Sequence, residues 1–241
     1  MDNSKCLPIS PSLNCPALRP PPGLRALDPR PHTLRPAMIA TITTCLALTI
    51  PALGIRIFTR SFILRRLQVE DYSIMIASLG YITITALTIL SYTYGRGTHQ
   101  WNITIANARM QVKYIYWIHF LYPIPMFFAK LALLLQIKRI STPTRRTFIY
   151  YSTSLLIIAN AIVYLAALIV FALICRPREK FWNPAVPGNC LDTGKTLLAS
   201  SVVNLVSDVA VLVVPVIGVW GLGLGWRRKV GVGVVFGMGV P

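Results

Sequence analysis

The chain has 241 residues, 54% of them hydrophobic and 13% charged, with a net charge of +17, against roughly 25% charged residues in an ordinary soluble domain. That balance excludes a soluble globular protein and fits a polytopic membrane protein, with the charges crowded between long apolar runs. It also excludes a nucleic-acid partner, because a phosphate-binding face needs its Lys and Arg gathered on one surface. The five scattered cysteines make neither a disulfide-dense miniprotein nor a CxxC metal site.

Residues 1–36 carry nine of the eighteen prolines and show no apolar periodicity, so a disordered, basic, Pro-rich tail is expected there. Its first ten residues hold Asp2, Lys5 and Pro8 in place of a signal-peptide core, which leaves the first apolar span as the targeting signal. A membrane crossing needs roughly 20 apolar residues. Five stretches qualify: 37–55, which contains Pro51; the uncharged 72–94; 114–137, with His119 and Lys130; the uncharged 148–175; and 196–224, with Asp208. Together they predict an all-α transmembrane helix bundle over residues 37–241. A further run, 230–241, is twelve residues long and too short to cross, so the chain reads as ending inside a sixth helix. Kinks are expected at Pro123, Pro125 and Pro215. Gly221 with Gly225, and Gly233 with Gly237, either form close-packing faces or reflect ordinary glycine enrichment in membrane helices.

Loop charge bears on orientation. The loops after the first, third and fifth spans hold eleven Lys and Arg, including Arg56, Arg65, Arg66, Lys138, Arg139 and Arg227, while the alternate loops hold seven. The tail adds five to the side with seven, so counting alone does not decide. Two covalent signals do. Asn102-Ile103-Thr104 is a glycosylation acceptor, usable only outside the cytosol. Cys175 and Cys190 bracket the loop between the fourth and fifth spans, where a disulfide persists only in an oxidising compartment; two unpaired thiols are the alternative. The N-terminus is therefore expected outside.

In order along the chain come Arg56-Ile-Phe-Thr-Arg60, Glu70-Asp71-Tyr72, Gly95-Arg-Gly97 with His99 and Trp101, and Lys130-Leu-Ala-Leu-Leu. Then follow Cys175-Arg-Pro, Trp182 and Cys190, Asn204 with Asp208, Pro215-Val-Ile-Gly-Val-Trp220 and Arg227-Arg-Lys229. This text resembles the fungal rhodopsin-domain integral membrane proteins, a receptor-like family of seven-helix proteins that includes pathogenicity-linked plasma-membrane receptors. The resemblance implies seven helices, a plasma-membrane location and a receptor-like role. It does not imply retinal, since a chromophore lysine would sit in the final helix and Lys130 is in the third. The long tail and the prolines at 123 and 125 depart from the family pattern.

Asp208 is the one acidic side chain inside any of the five stretches. A carboxylate at mid-membrane costs about 2.5 to 3.5 kcal/mol unless it is neutralised or faces the bundle interior. Asn204 shares its helix face and is placed to hydrogen-bond it. Asp208 is either structural glue between helices or a ligand or ion contact. Lys130 either pairs with Asp208 or snorkels toward the surface near Lys138. No HExxH, GxSxG or P-loop is present, and His32, His99 and His119 are too dispersed for a metal site, so neither an enzyme nor a cofactor is expected. Trp101, Tyr94 and Tyr114 read as interfacial anchors. Three functional readings remain: a receptor-like protein sensing an extracellular ligand and signalling through its basic cytosolic loops, an ion- or proton-coupled transporter built around Asp208, and a nonfunctional fragment.

Overall fold

The computed structural model describes residues 13–29, 31–141 and 148–220. Five helical spans in these residues are long and apolar enough to cross a membrane, and the protein is an all-α membrane helix bundle. Helix α1 is Arg35–Phe58, extended by a π-helical turn at Thr59–Ile63. Helix α2 is Val69–Thr93, and the third span is split into α3 (Ile105–Leu121) and α4 (Pro123–Ser141). Helices α5 (Phe148–Ala172) and α6 (Thr193–Trp220) follow. The run at 230–241, the glycine pairs and Arg227 lie outside the described residues.

The helix boundaries correct the hydropathy estimate where capping outweighs composition. Helix α2 begins at Val69 rather than Tyr72, so Glu70 and Asp71 belong to the helix and Asp208 is not the one acidic residue in a span. Gln68 is the N-cap, and its backbone N–H donates to Asp71 Oδ2 at 3.1 Å, half of a capping box. Helix α3 begins at Ile105 rather than Tyr114 because the Thr104 hydroxyl accepts the Asn107 N–H at 3.4 Å, so Arg109 and Lys113 sit on a helix and not in a loop. The helical hydrogen bonds run up to Tyr122 N–H to Ile118 O. Pro123 has no N–H to continue them and instead opens α4, where a missing donor costs nothing. Pro125 falls in that same first turn, while α1 continues through Pro51 and α6 through Pro215.

The chain forms two compact units. The first takes the described parts of Met1–Leu64, Tyr81–Tyr122 and Leu173–Cys190. Part of the segment expected to be disordered is described here: residues 13–29 and 31–34 are tied to the segment after α2. Ala17 N–H donates to Ile103 O at 2.8 Å, Ile105 N–H to Cys15 O at 2.9 Å, Leu27 N–H to Trp101 O at 3.1 Å and Leu34 N–H to Gly97 O at 2.9 Å. Cys15 is buried and disulfide-bonded. Backbone pairing needs no apolar periodicity, so the order of these described residues leaves no trace in composition. In the same unit the Cys175–Cys190 disulfide closes a two-stranded antiparallel hairpin, β1 (Cys175–Arg176) with β2 (Asn189–Cys190). Tyr116 of α3 is buried against Phe181 and Trp182 of that loop.

The second unit takes the described parts of Arg65–Gly80, Pro123–Ala172 and Leu191–Pro241, with α4 packed on α5 and α6. Its helices reverse the soluble pattern. On α5, Leu155, Ile158, Ile162, Leu165 and Ile169 form an exposed apolar stripe for lipid, and Thr153, Asn160 and Tyr164 are buried. Gly80 of α2 is required by close packing: a Cβ there would sit 2.9 Å from Pro125 Cβ.

Candidate functional site

The interior of the second unit is built around Lys130, whose side chain is 4% exposed. Its Nζ lies 2.8 Å from Asp208 Oδ1, 3.0 Å from Asn204 Oδ1, 3.0 Å from Ser207 Oγ and 3.3 Å from the Asn204 carbonyl oxygen. Residues 204, 207 and 208 share one face of α6 through their i, i+3, i+4 spacing, so a single helix supplies all the acceptors. An ammonium has three protons and no other way to be solvated here, and four oxygens satisfy it. The Tyr164 ring lies beside it, 5.3 Å from Nζ to the centroid.

A second layer fixes those acceptors. Tyr164 OH donates to Asn204 Oδ1 at 2.6 Å, and Asn204 Nδ2 donates to Asp208 Oδ2 at 3.3 Å. Ser207 donates to Asn160 Oδ1, and Asn160 Nδ2 donates to Leu156 O at 2.8 Å. The cluster is thus one charge pair embedded in a directed hydrogen-bond network across α4, α5 and α6. Of the two readings of Lys130, the structure takes pairing rather than snorkelling.

Asn160, Tyr164 and Ser207 were not singled out from sequence. The available signal was the spacing of Thr153, Asn160 and Tyr164, which puts three polar groups on one side of an uncharged span.

At the end of the second unit where α2 begins and α4 ends, Arg139 Nη1 donates to Glu70 Oε1 at 3.1 Å and also to Gln68 Oε1. Lys138 Nζ donates to Ser154 Oγ at 3.1 Å and lies over the Tyr150 ring.

In the first unit, Asn102 closes a short helical turn and its Oδ1 accepts the Asp28 N–H at 3.2 Å. Trp101 stacks on His99, and Tyr94 on Tyr114. Among the described residues no group of three or more His, Cys, Asp or Glu could hold a metal ion.

A multi-pass helical membrane protein with a charged, hydrogen-bonded polar cluster among its helices is the class these features define. The chain belongs to the fungal rhodopsin domain family, whose model matches residues 55–241. It is 32% identical over 154 residues to a SAT4 family membrane protein of Emericella nidulans, covering 64% of this chain and 40% of that protein. It is 29% identical to the Fugralins biosynthesis cluster protein 2 of Gibberella zeae, covering 95% and 58%, and 27% identical to Receptor GIN3 of Arthrobotrys oligospora, covering 90% and 52%. The chain spans about half the length of these relatives. No solved structure matches it.

Proposed function

We propose that this protein is a non-enzymatic, receptor-like component of the plasma membrane that senses an extracellular ligand and passes the signal to a cytosolic partner at its basic loops. The observation that carries the reading is the Lys130, Asn204 and Asp208 cluster. Its charge pair joins α4 to α6, and Tyr164 and Asn160 tie α5 to the same acceptors, so a change in any helix position alters the electrostatic balance of the others. The likeness to Receptor GIN3 supports the same reading. A transporter carboxylate must stay open to its coupling ion, whereas Asp208 Oδ1 is taken by an ammonium from the chain itself.

The N-terminus faces outward in this proposal. The disulfide-bonded Cys15 and the Cys175–Cys190 bridge support that orientation, since disulfides persist in an oxidising compartment. Asn102 is then available for glycosylation during synthesis.

The test is Asp208→Asn, which keeps shape and hydrogen bonding and removes the charge. Loss of signalling output in a cell-based reporter, normalised to protein abundance, is expected, with abundance lowered because Lys130 keeps its charge and loses its counter-charge. Normal output from the Asn variant on that normalised scale would reduce the cluster to structural glue. Charge-dependent solute uptake by the wild type in proteoliposomes would favour transport.

A further inference from the structure

A cavity of about 560 Å³ opens where α2 begins and α4 ends. Its polar wall is Lys138, Arg139, Glu70 and Gln68, and its apolar wall includes Val69, Tyr72 and Leu135. The second span begins at Val69 and the third ends at Arg139, so the cavity sits at the depth where lipid headgroups meet the hydrocarbon. Val69 and Tyr72 are exposed, which suits contact with the first methylenes of an acyl chain. Two cations face one carboxylate, and the exposed Arg65 and Arg66 lie just upstream of α2, so the local excess is positive.

Arg139 is only partly committed. Nη1 serves Gln68 and Glu70, while Nε and Nη2 have no partner among the described residues, and the side chain is 48% exposed. A guanidinium with free donors on its open edge matches two phosphate oxygens. Glu70 is 4% exposed and holds the other edge, orienting the arginine without filling the cavity.

We infer that this cavity holds the headgroup phosphate of an anionic phospholipid, gripped by Arg139 and Lys138 with Val69, Tyr72 and Leu135 against its proximal acyl chain. The source is a membrane lipid rather than a soluble phosphate because half the lining is apolar and the cavity lies at the span ends. Anionic lipids are concentrated in the cytosolic leaflet, the side that the basic loops face in the orientation proposed above. The inference is independent of the receptor reading, since lipid capture is measured without any signalling output.

The experiment is native mass spectrometry of the purified full chain equilibrated with phosphatidylserine or with phosphatidylcholine. The wild type is expected to retain phosphatidylserine preferentially, and Arg139→Gln to lose about fivefold in retention, the effect of one surface cation. Because Arg139 also anchors α2, Lys138→Gln provides a second loss variant. Glu70→Gln provides one of opposite sign: removing the competing carboxylate should raise phosphatidylserine retention. Equal retention of the two lipids by the wild type would overturn the site. So would a folded Glu70→Gln protein that binds phosphatidylserine no better than wild type. If glycerophosphoserine, which has the headgroup without chains, displaces the lipid at equal concentration, the cavity takes a soluble phosphate and the lipid assignment fails.

Discussion

Two interhelical ion pairs of the second unit are mirror images in exposure. In Lys130 with Asp208 the cation is buried and the anion 38% exposed, whereas in Arg139 with Glu70 the cation is 48% exposed and the anion buried. In each case the protein must replace water around the buried member. Lys130 receives four oxygens from α6, and Glu70 receives a donor from a side chain that still reaches solvent. The first pair therefore depends on a network that cannot be rebuilt by water, and the second does not. Removing one partner of a buried pair costs about 3 to 5 kcal/mol, while exposed pairs are worth roughly 0 to 1 kcal/mol.

That contrast is tested most strongly by Lys130→Leu. It strands Asp208 with only Asn204, and thermal unfolding in detergent should show a loss of about 3 to 5 kcal/mol or a failure to accumulate. Adding Asp208→Leu to that variant should recover most of the loss, because two apolar side chains leave no uncompensated charge. If the double variant is as unstable as the single one, packing rather than charge governs the site.

A comparable effect is expected in the first unit from covalent closure. Cys175→Ser removes a bridge between residues 15 apart, worth about 3 kcal/mol in the chain-entropy model. Reductant should lower the wild type by more than it lowers the variant, which has only the Cys15 disulfide left to lose. Thermal melts of both proteins with and without reductant decide it, and a variant that melts with the oxidised wild type would show that the aromatic packing of Tyr116, Phe181 and Trp182 suffices.

A smaller change separates the network from the charge pair. Tyr164→Phe deletes the hydroxyl that donates to Asn204 Oδ1 at 2.6 Å and keeps the ring beside Lys130. Interhelical hydrogen bonds in membranes average about 0.6 kcal/mol, and a loss of about 1 kcal/mol is expected. A loss as large as that of Lys130→Leu would mean that Tyr164, not Asp208, holds Asn204 in register.

The spans were readable in the sequence because twenty-odd apolar residues in a row have few other fates in water. The start of α3 was not, since Arg109, Gln111 and Lys113 depress hydropathy while Thr104 caps the helix regardless. The order of residues 13–29 and 31–34 was not legible because it comes from backbone pairing with residues 97–106 and from Cys15, neither of which leaves a periodic trace. In the candidate site, Asp208, Asn204 and Lys130 stood out as polar groups in apolar runs. The choice between pairing and snorkelling depends on helix depth and rotation, which one chain of letters does not encode. Asn160 and Tyr164 carried a usable spacing signal, but a neutral amide and a phenol are quieter in hydropathy than a charge.

The smallest effect is expected at the second ion pair, and its signature is salt. Glu70→Gln removes the charge that faces Arg139 while the amide oxygen can still accept from Nη1. With Arg139 half-exposed, the Coulomb part of the interaction runs partly through solvent and is screened as the Debye length falls from about 10 Å at 0.1 M salt to about 3 Å at 1 M. The variant should melt within about 1 kcal/mol of wild type at low salt, and the gap should close at high salt. The Lys130→Leu deficit should persist unchanged across the same series, because no electrolyte reaches a side chain enclosed by α6 oxygens and the Tyr164 ring. Melting both variants at two salt concentrations therefore reads the solvent around each pair. A deficit at Glu70→Gln that survives high salt would place that carboxylate in the same dry interior as Lys130 and remove the distinction between the two pairs.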